Sequence, residues 1–334
     1  MSATKKILND PYEVAADMLA GLIEAYDGEV VKAGTASLVK TNIPDGKVAL
    51  LVGGGSGHEP IYHGLVGANL ADGAACGDVF AAPPPNVILE CAQAVNRGKG
   101  ILFVYGNYAG DVLNFNLAAE MAAAEGIEVQ TVLVRDDISS APPDKKEDRR
   151  GIAGLVIIVK LAGAASQRAK TLDELVRITT LACNNTRSIG VAMKPGSIPA
   201  TGVPTFELPD DEIEFGMGAH GEQGAERIKM TTADTLVPIM MDKLLADDLE
   251  LNAGDEIVLL INSLGVTTMT ELLIVNKEAK KILRGKGIVV HDTIVGHKLT
   301  CQEMAGFSIT LTKLDAELKQ YWDMPCESIA YSKM

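Results

Sequence analysis

Long apolar runs, paired cysteines and an excess of basic residues are all lacking in this sequence. No segment reaches the ~18 uninterrupted apolar residues of a membrane-spanning helix, and residues 1–10 contain lysines but no apolar signal-peptide core. Five scattered cysteines include no C-x-x-C pair of the kind used for zinc or redox chemistry. We therefore expect a cytoplasmic protein with reduced thiols and no membrane anchor.

Nucleic-acid, nucleotide and metal sites are also poorly supported. The 334 residues carry 44 acidic and 30 basic side chains, a net charge of -14, which favours small-molecule or protein partners over nucleic acid. Residues 53–60 lack the Lys-Ser or Lys-Thr of a Walker loop. Residues 216–221 match G-x-G-x-x-G only weakly, because the preceding residues are acidic and no strand-helix-strand unit of ~30 residues frames them. No two histidines have zinc-ligand spacing, so we expect no metal on this chain. Arg149 and Arg150 have the chemistry to contact an anion, although such charges are usually solvated.

The order of apolar patterns predicts an α/β fold with two domains. With 47% hydrophobic residues the chain can bury a large core. Strand-like runs alternate with helical patterns, including helices over residues 155–169 and 171–183, as in a layered, mostly parallel sheet. Prolines then interrupt residues 195–209. We place the boundary near residue 190, with an N-terminal α/β domain over 1–190 and a smaller mixed α/β domain over 191–334.

A glycine-rich stretch at residues 47–60 is the centre of the first domain. Five apolar residues run into three glycines, Gly53 to Gly55, which is typical of a buried strand entering a loop close to a ligand. Pro60 suits the first turn of a following helix, so the loop would offer amides to an anion or an oxygen-rich ligand. His58 lies in this loop. A tight turn with an incidental histidine is the alternative, and the loop alone does not decide between them.

Two further side chains occupy comparable loops. Asp111 follows a strand-like run that ends at Tyr105, where open α/β sheets place ligand-handling residues, but it also suits the N-cap of a helix over 112–125. His220 lies among the glycines of residues 216–224, which would leave its ring accessible. One carboxylate and two histidines can add to a ketone and move protons, as in phosphoryl transfer to a small keto-alcohol. Their spacing leaves this as one of several chemistries.

Several motifs together resemble the dihydroxyacetone-binding (DhaK) subunit of bacterial dihydroxyacetone kinases, over essentially the whole chain. The segments that carry the resemblance are residues 53–60, 107–111 with Asn114 and Phe115, 149–154, 214–222, 262–265 and 306–311. The resemblance implies that His220 forms a covalent hemiaminal with the substrate carbonyl. It also implies that Asp111 is the base at the terminal hydroxyl and that His58 assists at the same oxygen. Substrate hydroxyls would be held by Gly55, Ser56, Gly57 and His58.

The resemblance also implies the partners. Family members that use ATP in one chain carry an added nucleotide-binding domain, which 334 residues do not accommodate after this fold. We therefore expect no cofactor on this chain, and ADP or ATP with Mg on a separate DhaL-type subunit. That subunit would be rephosphorylated by a phosphotransferase-system protein or exchange its ADP for ATP, and the sequence leaves both open. A homodimer is the family's assembly.

One departure concerns the substrate. Many members have a lysine where this chain has Gly106, so a donor is lost and space is gained. We hypothesise that the substrate is dihydroxyacetone or a larger ketose such as erythrulose, with Gly106 shaping the pocket. Two other functions compete: a non-catalytic ketose sensor of the same fold, which the pairing of His58 with Asp111 disfavours, and an unrelated carbohydrate-binding protein or isomerase.

Overall fold

Two six-stranded sheets with a helix layer between them organise the part of the chain that the computed structural model describes, residues 5–218, 221–222 and 224–334. The strands are β1 Val30–Ala33, β2 Ser37–Lys40, β3 Ala49–Ser56, β4 Gly67–Ala68, β5 Gly73–Val79, β6 Ile101–Gly106, β7 Val129–Val134, β8 Thr186–Lys194, β9 Glu212–Phe215, β10 Glu226–Lys229, β11 Glu256–Ser263, β12 Val289–His297, β13 Ala305–Leu314, β14 Cys326–Ser328 and β15 Ser332–Lys333. The α-helices are α1 Val14–Ala25, α2 Pro85–Val95, α3 Ala109–Ala124, α4 Gly154–Ser166, α5 Leu172–Asn184, α6 Ala233–Ala246, α7 Met269–Gly285 and α8 Ala316–Trp322.

The first sheet has the strand order β1-β2-β5-β3-β6-β7. Strands β5, β3, β6 and β7 run parallel, and the β1-β2 hairpin extends the sheet antiparallel to β5. The prediction of a mostly parallel sheet is therefore confirmed. Parallel neighbours β3 and β6 end at the same edge, which is where an open α/β sheet presents its ligand-binding loops.

The second sheet has the order β10-β9-β8-β13-β11-β12. Only the β11-β12 pair is parallel, so the sheet is mixed, as predicted. With six strands it equals the first sheet in strand number, so it is not the smaller layer that we expected. Residue 190 falls inside β8, and the chain passes to the second sheet between α5 and β8. The division into two domains stays a prediction.

Helix α4 lies between the two sheets. All thirteen residues of its sequence GLVIIVKLAGAAS are buried, since an apolar surface on every side suits a helix enclosed by neighbours. It contacts β3 and β6 on one side and β8 and β13 on the other. A single apolar cluster accordingly joins Leu50 and Leu102 of the first sheet to Val258 and Leu260 of the second.

Three local predictions were wrong. Gly53 to Gly55 belong to β3 rather than to a loop, because the strand continues through Ser56. No α-helix follows near residues 60–70, where the chain makes a turn and a 3₁₀ turn at His63–Leu65. Asp111 lies in the first turn of α3 and is not its N-cap, a position that Tyr108 occupies.

Among the described residues, no helix combines the length and apolar character needed to cross a bilayer.

Candidate active site

His58 lies just beyond the carboxyl end of β3. Gly57 has a positive φ of 96°, and its N–H donates to both carboxylate oxygens of Glu59 at 3.0 and 3.1 Å, so the chain turns sharply here. The His58 ring is buried, and its Nδ1 lies 2.8 Å from the carbonyl oxygen of Thr300. Because a carbonyl can only accept, Nδ1 carries the hydrogen, and in a neutral ring Nε2 is the nitrogen that accepts a proton.

The segment between β12 and β13 holds this loop from the second sheet. The N–H of Thr300 donates to the His58 carbonyl at 3.1 Å, and the N–H of Gln302 donates to the Gly57 carbonyl at 2.9 Å. The Thr300 hydroxyl adds a third bond at 2.7 Å, to the carbonyl of Glu59. The histidine is therefore positioned jointly by the two sheets. No local pattern marks Thr300 as a site residue, and it lies 242 residues away from His58.

The other predicted residues of the glycine stretch pack against the chain that follows β5. The hydroxyl of Ser56 donates to the Gly77 carbonyl at 2.7 Å, so its hydrogen is used within the fold and only its oxygen could serve a ligand as acceptor. A Cβ on Gly55 would lie 2.9 Å from the backbone nitrogen of Ala81, and one on Gly57 would lie 2.9 Å from the Phe80 ring. Gly55 is therefore required by close packing of the backbone, and Gly57 by its positive φ and the side chains packed against it.

Asp111 is buried in the first turn of α3, directly after β6. Its carboxylate lies near the helix N-terminus, where exposed N–H groups favour negative charge. Because β3 and β6 are parallel neighbours in register from Ala49 with Ile101 to Val52 with Val104, His58 and Asp111 follow the same edge of the sheet. His58 after β3 and Asp111 in the first turn of α3 therefore lie at the same edge of the first sheet.

Tyr62 contacts both strands at this edge, β3 at Gly54 and β6 at Gly106. A Cβ on Gly54 would lie 2.6 Å from the Tyr62 ring, so the missing side chain makes room for the tyrosine. Burial raises the pKa of Tyr62 well above its usual value, and the negative charge of Asp111 raises it further. A hydrogen bond with the Gly106 backbone lowers this pKa, but by less. The phenol is therefore neutral, and it adjoins both Gly106 and Asp111.

The space beside Gly106 is occupied. A Cβ at this position would lie 3.1 and 3.2 Å from two carbons of the Tyr108 ring and 3.4 Å from the Gly151 carbonyl. Tyr108 therefore fills part of the volume that a residue-106 side chain would need. Burial raises the pKa of Tyr108 well above its usual value, and the nearby Glu222 carboxylate raises it further.

His220 lies outside the described residues, so its predicted role is untested. The described residues on either side of it, 216–218 and 221–222, are joined by backbone hydrogen bonds, and we call them the 216–222 loop. Gly216 and Gly221 have positive φ angles of 69° and 87°. The N–H of Gly218 donates to the Glu222 carbonyl at 2.9 Å, and that of Gly221 donates to the Gly218 carbonyl at 3.0 Å. Glycine is needed at these left-handed positions.

The two neighbouring arginines are not a solvated charge run. Arg149 is completely buried and makes a bidentate pair with Asp247 at 2.9 and 2.7 Å. Arg150 donates to Asp137 and to the carbonyl of Gly216, so it contacts the 216–222 loop. Within the described residues, no group of three His, Cys, Asp or Glu side chains is arranged to hold a metal ion.

Comparison with known proteins gives a consistent match along the chain. A family model described as the Dak1 domain matches residues 20–330. The chain is 42% identical over 327 residues to "PTS-dependent dihydroxyacetone kinase 2, dihydroxyacetone-binding subunit DhaK" of Listeria innocua, covering 97% of this chain and 98% of that protein. It is 39% identical to the D-erythrulose kinase of Mycolicibacterium smegmatis over 98% of this chain, but spans only 56% of that longer protein.

Two solved structures have the same fold as this chain over nearly its whole length. The dihydroxyacetone kinase of C. freundii in complex with AMP-PNP and Mg²⁺ superposes with a TM-score of 0.87 at 30% identity, over 99% of this chain and 61% of that one. The dihydroxyacetone kinase operon co-activator Dha-DhaQ superposes with a TM-score of 0.88 at 30% identity, over 96% of this chain and 98% of that one.

Proposed function

The chain belongs to the Dak1 domain family, and we propose that it is the ketose-binding catalytic subunit of a dihydroxyacetone-type kinase, which phosphorylates a terminal hydroxyl of a short-chain ketose. The observation that carries this proposal is the placement of His58 and Asp111 after adjacent parallel strands, with the His58 loop held in place by the second sheet. A carboxylate base and an oriented imidazole are what the transfer of a hydroxyl proton requires.

His220 captures the substrate in this proposal. A ring nitrogen forms a bond to the ketose carbonyl carbon, and the ring N–H hydrogen ends on the former carbonyl oxygen, giving a hemiaminal. Covalent capture selects for ketoses, because a polyol such as glycerol has no carbonyl to react. It also holds the terminal hydroxyl in one place, and such positioning lowers the barrier by ~7 kcal/mol or more in favourable cases.

Asp111 and His58 act on the terminal hydroxyl. Asp111 accepts its proton as the oxygen forms a bond to phosphorus and the bond from phosphorus to the donor breaks. His58 assists at the same oxygen through Nε2, since Nδ1 donates to the Thr300 carbonyl, and Nε2 shares with Asp111 the proton that the hydroxyl releases. General-base assistance of this kind contributes roughly 10²- to 10⁴-fold to the rate.

The phosphoryl donor is a separate nucleotide-binding subunit of the DhaL type, with ADP or ATP and Mg held there and no cofactor on this chain. The Listeria relative, named PTS-dependent, supports a phosphotransferase-system source, and direct use of ATP is the alternative. We further propose a cytoplasmic homodimer.

Variants at the two proposed catalytic positions test the mechanism. With [2-¹³C]dihydroxyacetone, the wild type should convert part of the carbonyl carbon signal into that of a tetrahedral carbon, because the hemiaminal has no C=O. Asp111→Asn should retain this signal and lose turnover by ~10²-fold or more. His220→Ala should lose the signal. Retained turnover in Asp111→Asn would dismiss that residue as the base.

A larger substrate is a second candidate, because of Gly106 and the similarity to a D-erythrulose kinase. The Tyr108 ring takes up part of the space that glycine leaves, so any additional room depends on how that ring is oriented. Phosphorylation assays with glycerol and with three- to five-carbon ketoses, each with ATP and with a phosphoenolpyruvate-driven relay, decide the point. A much higher kcat/KM for dihydroxyacetone than for any larger ketose would reject the second candidate.

The similarity to an operon co-activator keeps a sensor function as a third candidate. A sensor would form the adduct with no transfer from any donor subunit. The same assays therefore separate a sensor from an enzyme.

A further inference from the structure

The guanidinium of Arg150 joins two segments that are far apart in sequence. Its Nη2 lies 2.9 Å from the Asp137 carboxylate and 2.7 Å from the carbonyl oxygen of Gly216. Asp137 lies just after β7 at the edge of the first sheet, and Gly216 begins the 216–222 loop after β9 of the second. One nitrogen therefore connects the loop to the first sheet.

The first-sheet end of this connection is firmly held. The N–H of Arg150 donates to the Ser140 hydroxyl at 2.9 Å, and its carbonyl accepts from the N–H of Asp137 at 3.1 Å. The other carboxylate oxygen of Asp137 accepts from the N–H of Ser139 at 3.0 Å. Asp137 is only 1% exposed, so removal of the arginine would leave a buried carboxylate without its ion-pair partner.

The loop end of the connection extends beyond Gly216. A Cβ on Gly218 would lie 2.5 Å from Nη1 of Arg150 and would also collide with the Glu222 carboxylate, so the cation and the anion flank this glycine. Burial lowers the pKa of Arg150, but the charges of Asp137, Tyr108 and Glu222 together outweigh it and raise the pKa above its usual value. Arg150 therefore stays charged between the two ends of the loop.

We propose that Arg150 is a positioning residue for capture of the ketose: its guanidinium fixes Gly216 and Gly218 against the first sheet, and the histidine of the proposed function, His220, follows two residues later in the sequence. This inference rests on the proposed function and deepens it. Its consequence is specific, since formation of the adduct depends on where the loop lies, whereas proton transfer at Asp111 depends on α3. Loss of Arg150 therefore weakens capture of the ketose more than it slows phosphoryl transfer to the captured ketose.

Lysine does not replace Arg150 in this role. The guanidinium places Nη2 on Asp137 and Gly216 and Nη1 beside Gly218, and the single nitrogen of an ammonium cannot occupy both places. Misplacement of a reacting group by ~1 Å can cost on the order of 10²-fold in rate. We expect Arg150→Lys and Arg150→Ala to reduce ketose affinity and the adduct fraction by about 10- to 100-fold, with a smaller change in kcat at saturating ketose.

The test compares Arg150 with its neighbour. Arg149 is equally arginine and completely buried, but it pairs with Asp247 instead of the loop, so Arg149→Lys is the matched control. The adduct fraction with [2-¹³C]dihydroxyacetone, KM and kcat are measured for wild type, Arg150→Lys, Arg150→Ala and Arg149→Lys. Thermal unfolding is followed for each. Millimolar methylguanidinium should restore the adduct in Arg150→Ala, which it would not do for a general loss of stability.

Asp137→Asn provides a second route if the Arg150 variants fold poorly, since it weakens the same connection and leaves the arginine in place. It should raise KM more than it lowers kcat. A wild-type adduct that persists undiminished in a folded Arg150→Ala or Asp137→Asn protein would overturn the positioning role and leave the proposed function intact. An equal loss in Arg149→Lys would also overturn it. Absence of both adduct and turnover in the wild type would overturn the proposed function and this inference with it.

Discussion

His63 is a buried histidine for which no charged partner is found among the described residues. It lies in the 3₁₀ turn after the His58 loop and is 2% exposed. None of the described residues forms a hydrogen bond with its Nδ1. Burial lowers the pKa of His63 from 6.5 to about 4. The native protein therefore keeps this imidazole neutral at pH values where the unfolded chain protonates it.

This difference predicts a pH-dependent stability. A base with a depressed native pKa stabilises the fold above its unfolded pKa, and the stabilisation is lost as the pH falls from 6.5 towards about 4. Between pH 7 and pH 5 the wild type should lose about 2 kcal/mol of unfolding free energy beyond the loss seen in His63→Gln. Urea unfolding of both proteins at several pH values measures this. Parallel stability curves would show that His63 is not desolvated.

Residue identity predicted that His58 and Asp111 follow buried strands, but it did not predict which residues hold them in place. His58 and Asp111 were recognisable because polar side chains directly follow buried apolar runs. Thr300 and Gln302 were not, since each bonds to a partner more than 200 residues away and neither stands out in its local sequence. Arg150 was visible as a charge, but its partners were not.

At the scale of elements, α4 shows what close packing demands of one position. A Cβ on Gly163 would lie 2.7 Å from the carbonyl oxygen of Asn69 and would collide with the backbone at Leu70. Backbone atoms cannot move aside as a flexible side chain can. Gly21 provides the contrast, because it lies in α1 with no atom within 4 Å of its Cβ position.

The same substitution should therefore have opposite effects in the two helices. Gly163→Ala should destabilise the protein by about 1 to 3 kcal/mol, because α4 must shift away from residues 69–70. Gly21→Ala should stabilise it by about 0.5 to 1 kcal/mol, because alanine loses less backbone entropy in a helix. Denaturant unfolding of both variants against the wild type gives the two signs. Stabilisation by Gly163→Ala would mean that α4 and the chain at 69–70 are not in close contact.

At the scale of the whole molecule, the two sheets share the apolar core around α4. The apolar cluster around α4 includes residues from both sheets and Trp322 of α8. The C-terminal segment also returns to the N-terminal half, because β14 pairs with β4 and the buried Lys160 of α4 donates to the carbonyls of Tyr321 and Met324 at 2.9 and 2.7 Å. We therefore infer that the two halves depend on each other for stability.

A fragment tests this dependence. Residues 1–185 end before β8 and contain the whole first sheet, but they would expose the face of α4 that β8 and β13 cover. We expect this fragment to lack a cooperative thermal transition and to bind a hydrophobic dye, whereas the full chain should unfold in one transition. A fragment with its own sharp transition would instead support two independent domains.

Amino-acid patterns were enough to predict the α/β class, the mostly parallel first sheet, the mixed second sheet and the positions of His58 and Asp111 after buried strands. These features follow from local periodicity and from chain order, which are read along a single segment. The folded chain was needed to show that Gly53 to Gly55 continue a strand, that Asp111 lies inside a helix turn, and that Arg150 reaches the 216–222 loop. Each of these depends on what packs against the segment from distant parts of the chain, and local sequence does not encode that neighbour.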